Sequence, residues 1–226
     1  MFLTDRRARV QLPPGDLDPA TGRARLSYRR AAELFEQATI GVVDMAGPQR
    51  VTKTINLLAN YGPISGAVTG PIGALPIQTP VSPNGKYVVT ANTLTGTITI
   101  IDTDTDTLAK SLPCDAGCHG VNFAAKRGGG YLAYVSSKFS NSLIVVDPDP
   151  NNDGEPTDAA VIGRVVLTAD QGARTDDRVV ANAGTGGQGV LPIPLVYNGW
   201  VQNVPNTPPF NQLTCEQRHP LDGGCR

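Results

Sequence analysis

Two clusters in this chain have residue types and spacing that could do chemistry. The first is Cys114-Asp115-Ala116-Gly117-Cys118-His119. Two cysteines followed at once by a histidine suit c-type haem attachment, with the sulfurs holding the porphyrin and the imidazole ligating iron. The usual spacing places two residues between the cysteines, and here there are three: Asp115, Ala116 and Gly117. The reading that asks least is a small disulfide loop bracing the start of a strand at His119-Gly120. Haem held by Cys114, Cys118 and His119 is the alternative, and metal-binding or redox-active thiols complete the set.

The second cluster is Asp149-Pro150-Asn151-Asn152-Asp153-Gly154-Glu155-Pro156-Thr157-Asp158. Side-chain oxygens at alternate positions followed by glycine are what a calcium loop requires, because they converge on one hard cation while glycine permits the sharp turn. Asp149, Asn151 and Asp153 supply the first ligands, the Glu155 carbonyl the next, and the Thr157 hydroxyl another. The twelfth position is Ala160, so the bidentate glutamate of an EF-hand is missing, with Asp158 or Asp147 the available substitute. The competing reading is a solvated polar hairpin, since Asp, Asn, Gly and Pro are also the ordinary turn residues.

Other catalytic equipment is scarce. The chain has two histidines, His119 and His219, and no Gly-x-Ser-x-Gly elbow, P-loop or dinucleotide fingerprint after a strand. The glycine-rich run from Gly184 to Gly189 precedes Pro192 and Pro194, which forbid the helix a phosphate site needs. Asp102 to Asp106 alternates Asp and Thr without glycine and reads as a turn. A net charge of −1 and the lack of basic patches with interleaved aromatics argue against nucleic acid as a partner.

The elements that must position these residues are short strands. With 25 Gly, 19 Pro and 17% charged residues, the composition suits many strands and tight turns, not a helical bundle. No apolar run approaches the ~20 residues of a membrane helix. Met1 to Leu12 carries Arg6, Arg7 and Arg9 but no hydrophobic stretch, so it is not a signal peptide. Either the mature protein begins here or the chain belongs to a longer one. The close pairs Cys114/Cys118 and Cys215/Cys225 suit two disulfides and an oxidising, periplasmic or extracellular compartment.

Tyr87 to Asp102 (YVVTANTLTGTITIID) and Leu132 to Asp147 (LAYVSSKFSNSLIVVD) both read as strand, polar turn, strand, and end in Asp at positions 45 apart. Thr97 to Ile101 alternates Thr and Ile, which places Ile98 and Ile100 on one face. Outer strands follow at Thr107 to Leu112 and Val161 to Leu167. Thr39 to Asp44 (TIGVVD) with Arg50 to Leu57 repeats half of the pattern. A period of roughly 40–45 residues carrying several strands marks propeller blades.

The segments Val89-Thr90-Ala91-Asn92 and Tyr134-Val135-Ser136-Ser137, with SPNGKY before one and CHGVNF before the other, resemble the YVTN family of β-propeller repeats. The likeness covers roughly Thr39 to Leu167. It implies an all-β fold, a partial β-propeller of four-stranded antiparallel blades, with Ile98, Ile100, Ile144 and Val146 buried between blades. Residues 1–38 form an N-terminal segment with a short helix over Tyr28 to Gln37, residues 39–168 the blades, and residues 169–226 an irregular tail. Such propellers close with about seven blades, whereas two and a half are found here, so the chain reads as the C-terminal part of a longer propeller with an open edge for a partner chain. The family spans surface proteins, binding modules and enzyme subunits. The expected function is a non-catalytic extracytoplasmic scaffold or binding module, with a protein or surface ligand as partner; a haem or copper redox subunit is the alternative.

Overall fold

The computed structural model describes residues 2–4, 39–44, 50–58, 74–167, 187–197, 200–204, 213–221 and 225. The helix expected over Tyr28 to Gln37 and the linker over 59–73 lie outside them. The described residues form antiparallel sheets with one short helix, as an all-β fold requires.

The first sheet contains β1 (Phe2–Thr4), β2 (Thr39–Asp44) and β3 (Arg50–Asn56) in that order. The second contains β4 (Tyr87–Asn92), β5 (Thr97–Asp102) and β6 (Thr107–Pro113). The third contains β7 (Cys118–Ala125), β8 (Tyr131–Ser137), β9 (Ser142–Asp147) and β10 (Ala160–Val166), in the order β10-β9-β8-β7. A two-stranded hairpin of β11 (Val196–Tyr197) and β12 (Trp200–Val201) and a helical turn, α1 (Cys215–Arg218), follow.

Only the third sheet has four full strands. In the second, residues 76–81 run antiparallel along β4, with Ile77 N donating to Ala91 O at 3.0 Å and Val89 N to Pro80 O at 3.2 Å. Pro76 and Pro80 have no N–H to offer, so this edge segment cannot complete a ladder. The first sheet departs from expectation differently. Phe2–Thr4 was expected to stay outside the sheets, yet it pairs with β2 in the register Thr4↔Ile40 and Phe2↔Val42. Three residues far upstream thus fill the position beside β2 that β4 fills beside β5.

The three sheets share a local irregularity at one repeat position. One extra residue sits in the strand opposite the step that precedes the terminal aspartate: Thr52 opposite Val42/Val43, Ala109 opposite Ile100/Ile101, and Ile162 opposite Val145/Val146. A bulge there bends and twists the outer strand. The hairpin turns also match. Gly96 (φ 59°) and Asn141 (φ 51°) lie 45 positions apart, and both take the left-handed conformation that Gly and Asn tolerate best.

Period-2 alternation decides how the sheets stack. Tyr87, Val89, Ile98 and Ile100 point toward the third sheet and share one core with Val121, Phe123, Ile144 and Val146. Val88 and Ile101 point the other way and share a second core with Ile40, Ile55, Leu57 and Ala74. The second sheet is therefore buried on both faces, which is why every residue of β4 is inaccessible. The expected burial of Ile98, Ile100, Ile144 and Val146 is found in full. At about 1.5–3 kcal/mol for each buried aliphatic side chain, these two interfaces dominate the stability of the stack. The buried Asn92 amide is satisfied locally: its Nδ2 donates to Thr97 Oγ1 at 3.1 Å and to Thr99 Oγ1 at 2.8 Å.

The tail expected to be irregular carries a second fastening. Thr214 caps α1 by accepting from Gln217 N, and the Cys215–Cys225 disulfide closes the segment. The buried Gln217 amide donates to Lys126 O and to Gly130 O, both at 2.7 Å, so the tail caps the β7–β8 turn. Tyr131 begins the strand after this turn. Burial, and secondarily the carboxylate of Glu216, push its phenol up to about 12. Burial likewise raises Tyr87, whose hydroxyl donates to Asp149 Oδ2 at 3.4 Å. The unfolded chain releases both protons near pH ~10 while the folded chain keeps them, so the associated stability is complete below pH ~10 and is lost as pH rises toward the folded values. Phenolate absorbance in an alkaline titration should appear for these two tyrosines only as the fold melts. Normal titration of all six tyrosines in a still-folded protein would contradict their burial.

Candidate functional site

The loop between β9 and β10 brings Asp149, Asn151 and Asp153 together, but their oxygens are occupied by the protein's own donors. Asp149 Oδ1 accepts from Asp153 N at 3.0 Å and Oδ2 from Gly154 N at 2.9 Å. Asn151 Oδ1 accepts from Asp153 N at 3.2 Å, and Asn151 Nδ2 donates to Asp153 Oδ2 at 2.8 Å. Asp153 Oδ1 accepts from Glu155 N at 2.7 Å. Thr157 offers its carbonyl to Lys110 Nζ at 3.0 Å, and Asp158 is exposed at the end of a short 3-10 turn, Pro156–Asp158.

A cation does sit against this loop, and it is a side chain. Lys126 Nζ pairs with Asp147 Oδ2 at 2.8 Å and donates to Asp149 O at 2.9 Å and to Pro150 O at 3.0 Å. The three donors of the ammonium thus meet three oxygens. Sequence reasoning passed over Lys126 because it lies more than twenty positions before the loop, next to a glycine turn, and only the β7–β8–β9 pairing brings it there. Among the described residues, no group of three or more His, Cys, Asp or Glu is arranged to hold a metal ion.

At the opposite end of the strands, Cys114 and Cys118 are joined as a disulfide with a Cα–Cα separation of 6.1 Å, so neither sulfur is left for a thioether. The loop they close ties the second sheet to the third. Cys114 N donates to Gly96 O at 2.8 Å, and Lys138 N donates to Gly117 O at 2.8 Å. Thr93 Oγ1 donates to Cys118 O at 2.5 Å, and Ser140 Oγ to Ala116 O at 3.1 Å. Arg164 Nε pairs with Asp115 Oδ2 at 2.8 Å and adds the outer strand β10.

His119 faces outward from this brace, and its Nδ1 donates to Gln188 O at 2.9 Å, which fixes the proton on Nδ1 in the neutral ring. Asn122 Nδ2 donates to Val190 O at 3.2 Å, so residues 187–190 lie along β7. Gly120 permits that approach. A Cβ there would stand 2.4 Å from Gln188 O and 2.7 Å from Gly189 Cα. Gly120→Ala should therefore displace residues 187–190 from β7 and leave the cores intact. Limited proteolysis should then cut the variant near Gly189 faster than the parent, with the blocks of β4 to β10 unaffected; identical digestion patterns would contradict the contact.

No protein-family model matches this chain. A comparison with curated proteins likewise finds no match. Asp149 is buried and accepts from backbone N–H groups close to Lys126. Asn151 and Asp153 are exposed and bonded to each other, and Cys114 and Cys118 form a disulfide brace. Among the described residues, no helix is long and apolar enough to cross a membrane. The two disulfides are compatible with an oxidising compartment.

Proposed function

We propose that this chain is a non-catalytic, extracytoplasmic scaffold or binding module whose three sheets are blades of a β-propeller. The observation that carries the reading is the repeated bulge. Thr52, Ala109 and Ile162 occupy one register position in three successive sheets that pack face on face, as units of a repeat architecture do. The resemblance of Val89 to Asn92 and of Tyr134 to Ser137 to YVTN repeats supports the same arrangement from sequence. The two clusters support a structural role in place of catalysis: Asp149 and Asp153 organise a turn, and Cys114 and Cys118 brace neighbouring blades.

Protein exported to an oxidising compartment and purified without reductant tests this reading. Its reduced-minus-oxidised spectrum should be flat, and its intact mass should equal the chain less four hydrogens for two disulfides. A haem band, or a mass surplus equal to haem on Cys114 and Cys118, would replace the scaffold reading with the redox one. The same sample tests calcium at Asp149, Asn151, Asp153, Glu155, Thr157 and Asp158. Asp149 and Asp153 already accept from backbone N–H groups, and Lys126 already supplies a positive charge at Asp147 beside them. The expected melting temperature is therefore the same in chelator and in millimolar calcium. A rise with calcium concentration would instead assign the loop as an ion site.

A further inference from the structure

We infer that Cys215–Cys225 is a site of thiol–disulfide exchange, and that its redox state sets how firmly α1 holds the β7–β8 turn. The inference is independent of the scaffold reading, whose haem test concerns Cys114 and Cys118. The two disulfides differ in access. Cys215 and Cys225 are both exposed, whereas Cys118 is fully buried and Cys114 packs against the core between the second and third sheets. Exchange begins with attack of a thiolate on a disulfide sulfur, so an exposed pair reacts where a buried one is shielded. The reductant is a dithiol. Its first thiolate attacks one sulfur of the pair, and the other cysteine departs as a thiolate and takes a proton. The second thiol then attacks the mixed disulfide and frees the remaining cysteine. The dithiol ends as a disulfide, and the protein gains two electrons and two protons.

What this bond secures is weak by itself. The α1 element is one helical turn of four residues, and isolated helices shorter than ~12–15 residues are marginal in water. Cys215, Glu216 and Arg218 are exposed, so Gln217 is the one residue of α1 that is buried. Its Oε1 accepts from Thr214 N at 2.9 Å, while its Nε2 holds the carbonyls of Lys126 and Gly130. The turn so gripped has little hold of its own. Gly128, Gly129 and Gly130 all have positive φ, and glycine regains the most backbone freedom on release. The turn also touches the β9–β10 loop. Lys126 Nζ pairs with Asp147, and a Cβ on Gly130 would stand 2.5 Å from Asn152 Oδ1. Reduction therefore frees α1 beyond Leu213, which stays packed against the core, and loosens the turn and the loop together.

Peptide mapping tests the exchange site. The folded full chain is held in graded dithiothreitol and then alkylated with iodoacetamide. Cys215 and Cys225 should be labelled at a dithiothreitol concentration about tenfold or more below that needed for Cys114 and Cys118. Hydrogen exchange of this selectively reduced protein tests the hold on the turn. Amides of residues 126–130 and 149–154 should exchange about tenfold faster than in the oxidised protein, with β4, β5, β8 and β9 unchanged. Cys215→Ser combined with Cys225→Ser should reproduce that pattern without reductant, and Gln217→Ala should reproduce it at the turn with the disulfide intact. The reduced parent carries the same comparison should the serine variant not fold. Labelling of Cys114 and Cys118 first, or of all four cysteines together, would overturn the proposal. So would unchanged exchange at residues 126–130 in the reduced protein, or a rise spread evenly over every strand.

Discussion

Replacing Lys126 with Met is expected to destabilise the protein by about 3 kcal/mol or more, because it strands a buried carboxylate. The Asp147 side chain is only 7% exposed, and its Oδ2 faces the ammonium at 2.8 Å. Removing the ammonium also leaves the carbonyls of Asp149 and Pro150 without their donor. The effect should be read from urea unfolding as a lower midpoint with an unchanged slope. Adding Asp147→Asn to the same chain should recover part of the loss, since the unpaired charge is then gone while the carbonyls stay unserved. A Lys126→Met protein within about 0.5 kcal/mol of the parent would show that the ammonium does not hold the loop.

Ile144→Ala is expected to cost about 3–4 kcal/mol, and Ile144→Val about 1 kcal/mol, by transfer loss plus the cavity left behind. Ile144 is fully buried in the core between the second and third sheets, surrounded by elements that cannot close over a void without breaking strand register. Ile162→Ala provides the comparison on the same sheet. Ile162 is the bulged residue of β10 and is exposed, so its truncation should change stability by less than about 0.5 kcal/mol. Equal losses at the two positions would mean that the sheets do not stack as described.

Much of the fold could be read from the sequence because strands announce themselves locally. The Thr/Ile alternation at Thr97 to Ile101 and the β-branched run at Val88 to Thr90 place β4 and β5 where they occur, and Asn84-Gly85 marks their entry turn. Ile144 and Val146 are buried like Ile98 and Ile100, as expected. The 45-residue offset, however, carries Ile98 and Ile100 to Leu143 and Val145, so the repeat alone does not give which face of β9 meets the second sheet. The β1 strand was missed because three residues carry no usable period and pair with residues more than thirty positions away. The inner segment at 76–81 was obscured for the opposite reason, since its prolines suppress the strand signal while the backbone still lies along β4.

The candidate sites divide along the same line. Sequence alone determined that Cys114 and Cys118 could be bridged and that Asp149 to Gly154 would turn sharply, because spacing and residue type fix both within a few positions. Only the tertiary structure decided what those groups face. Pairing of β7 with β8 and of β8 with β9 carries Lys126 to Asp147 and Asp149, and packing of the second sheet on the third turns a four-residue cysteine spacing into a brace between sheets. The physical reason is range. A turn or a strand is set by dihedral preferences and alternation among neighbours in the chain, whereas the partner of a buried charge is set by which strands lie side by side, and that order is written in no single segment.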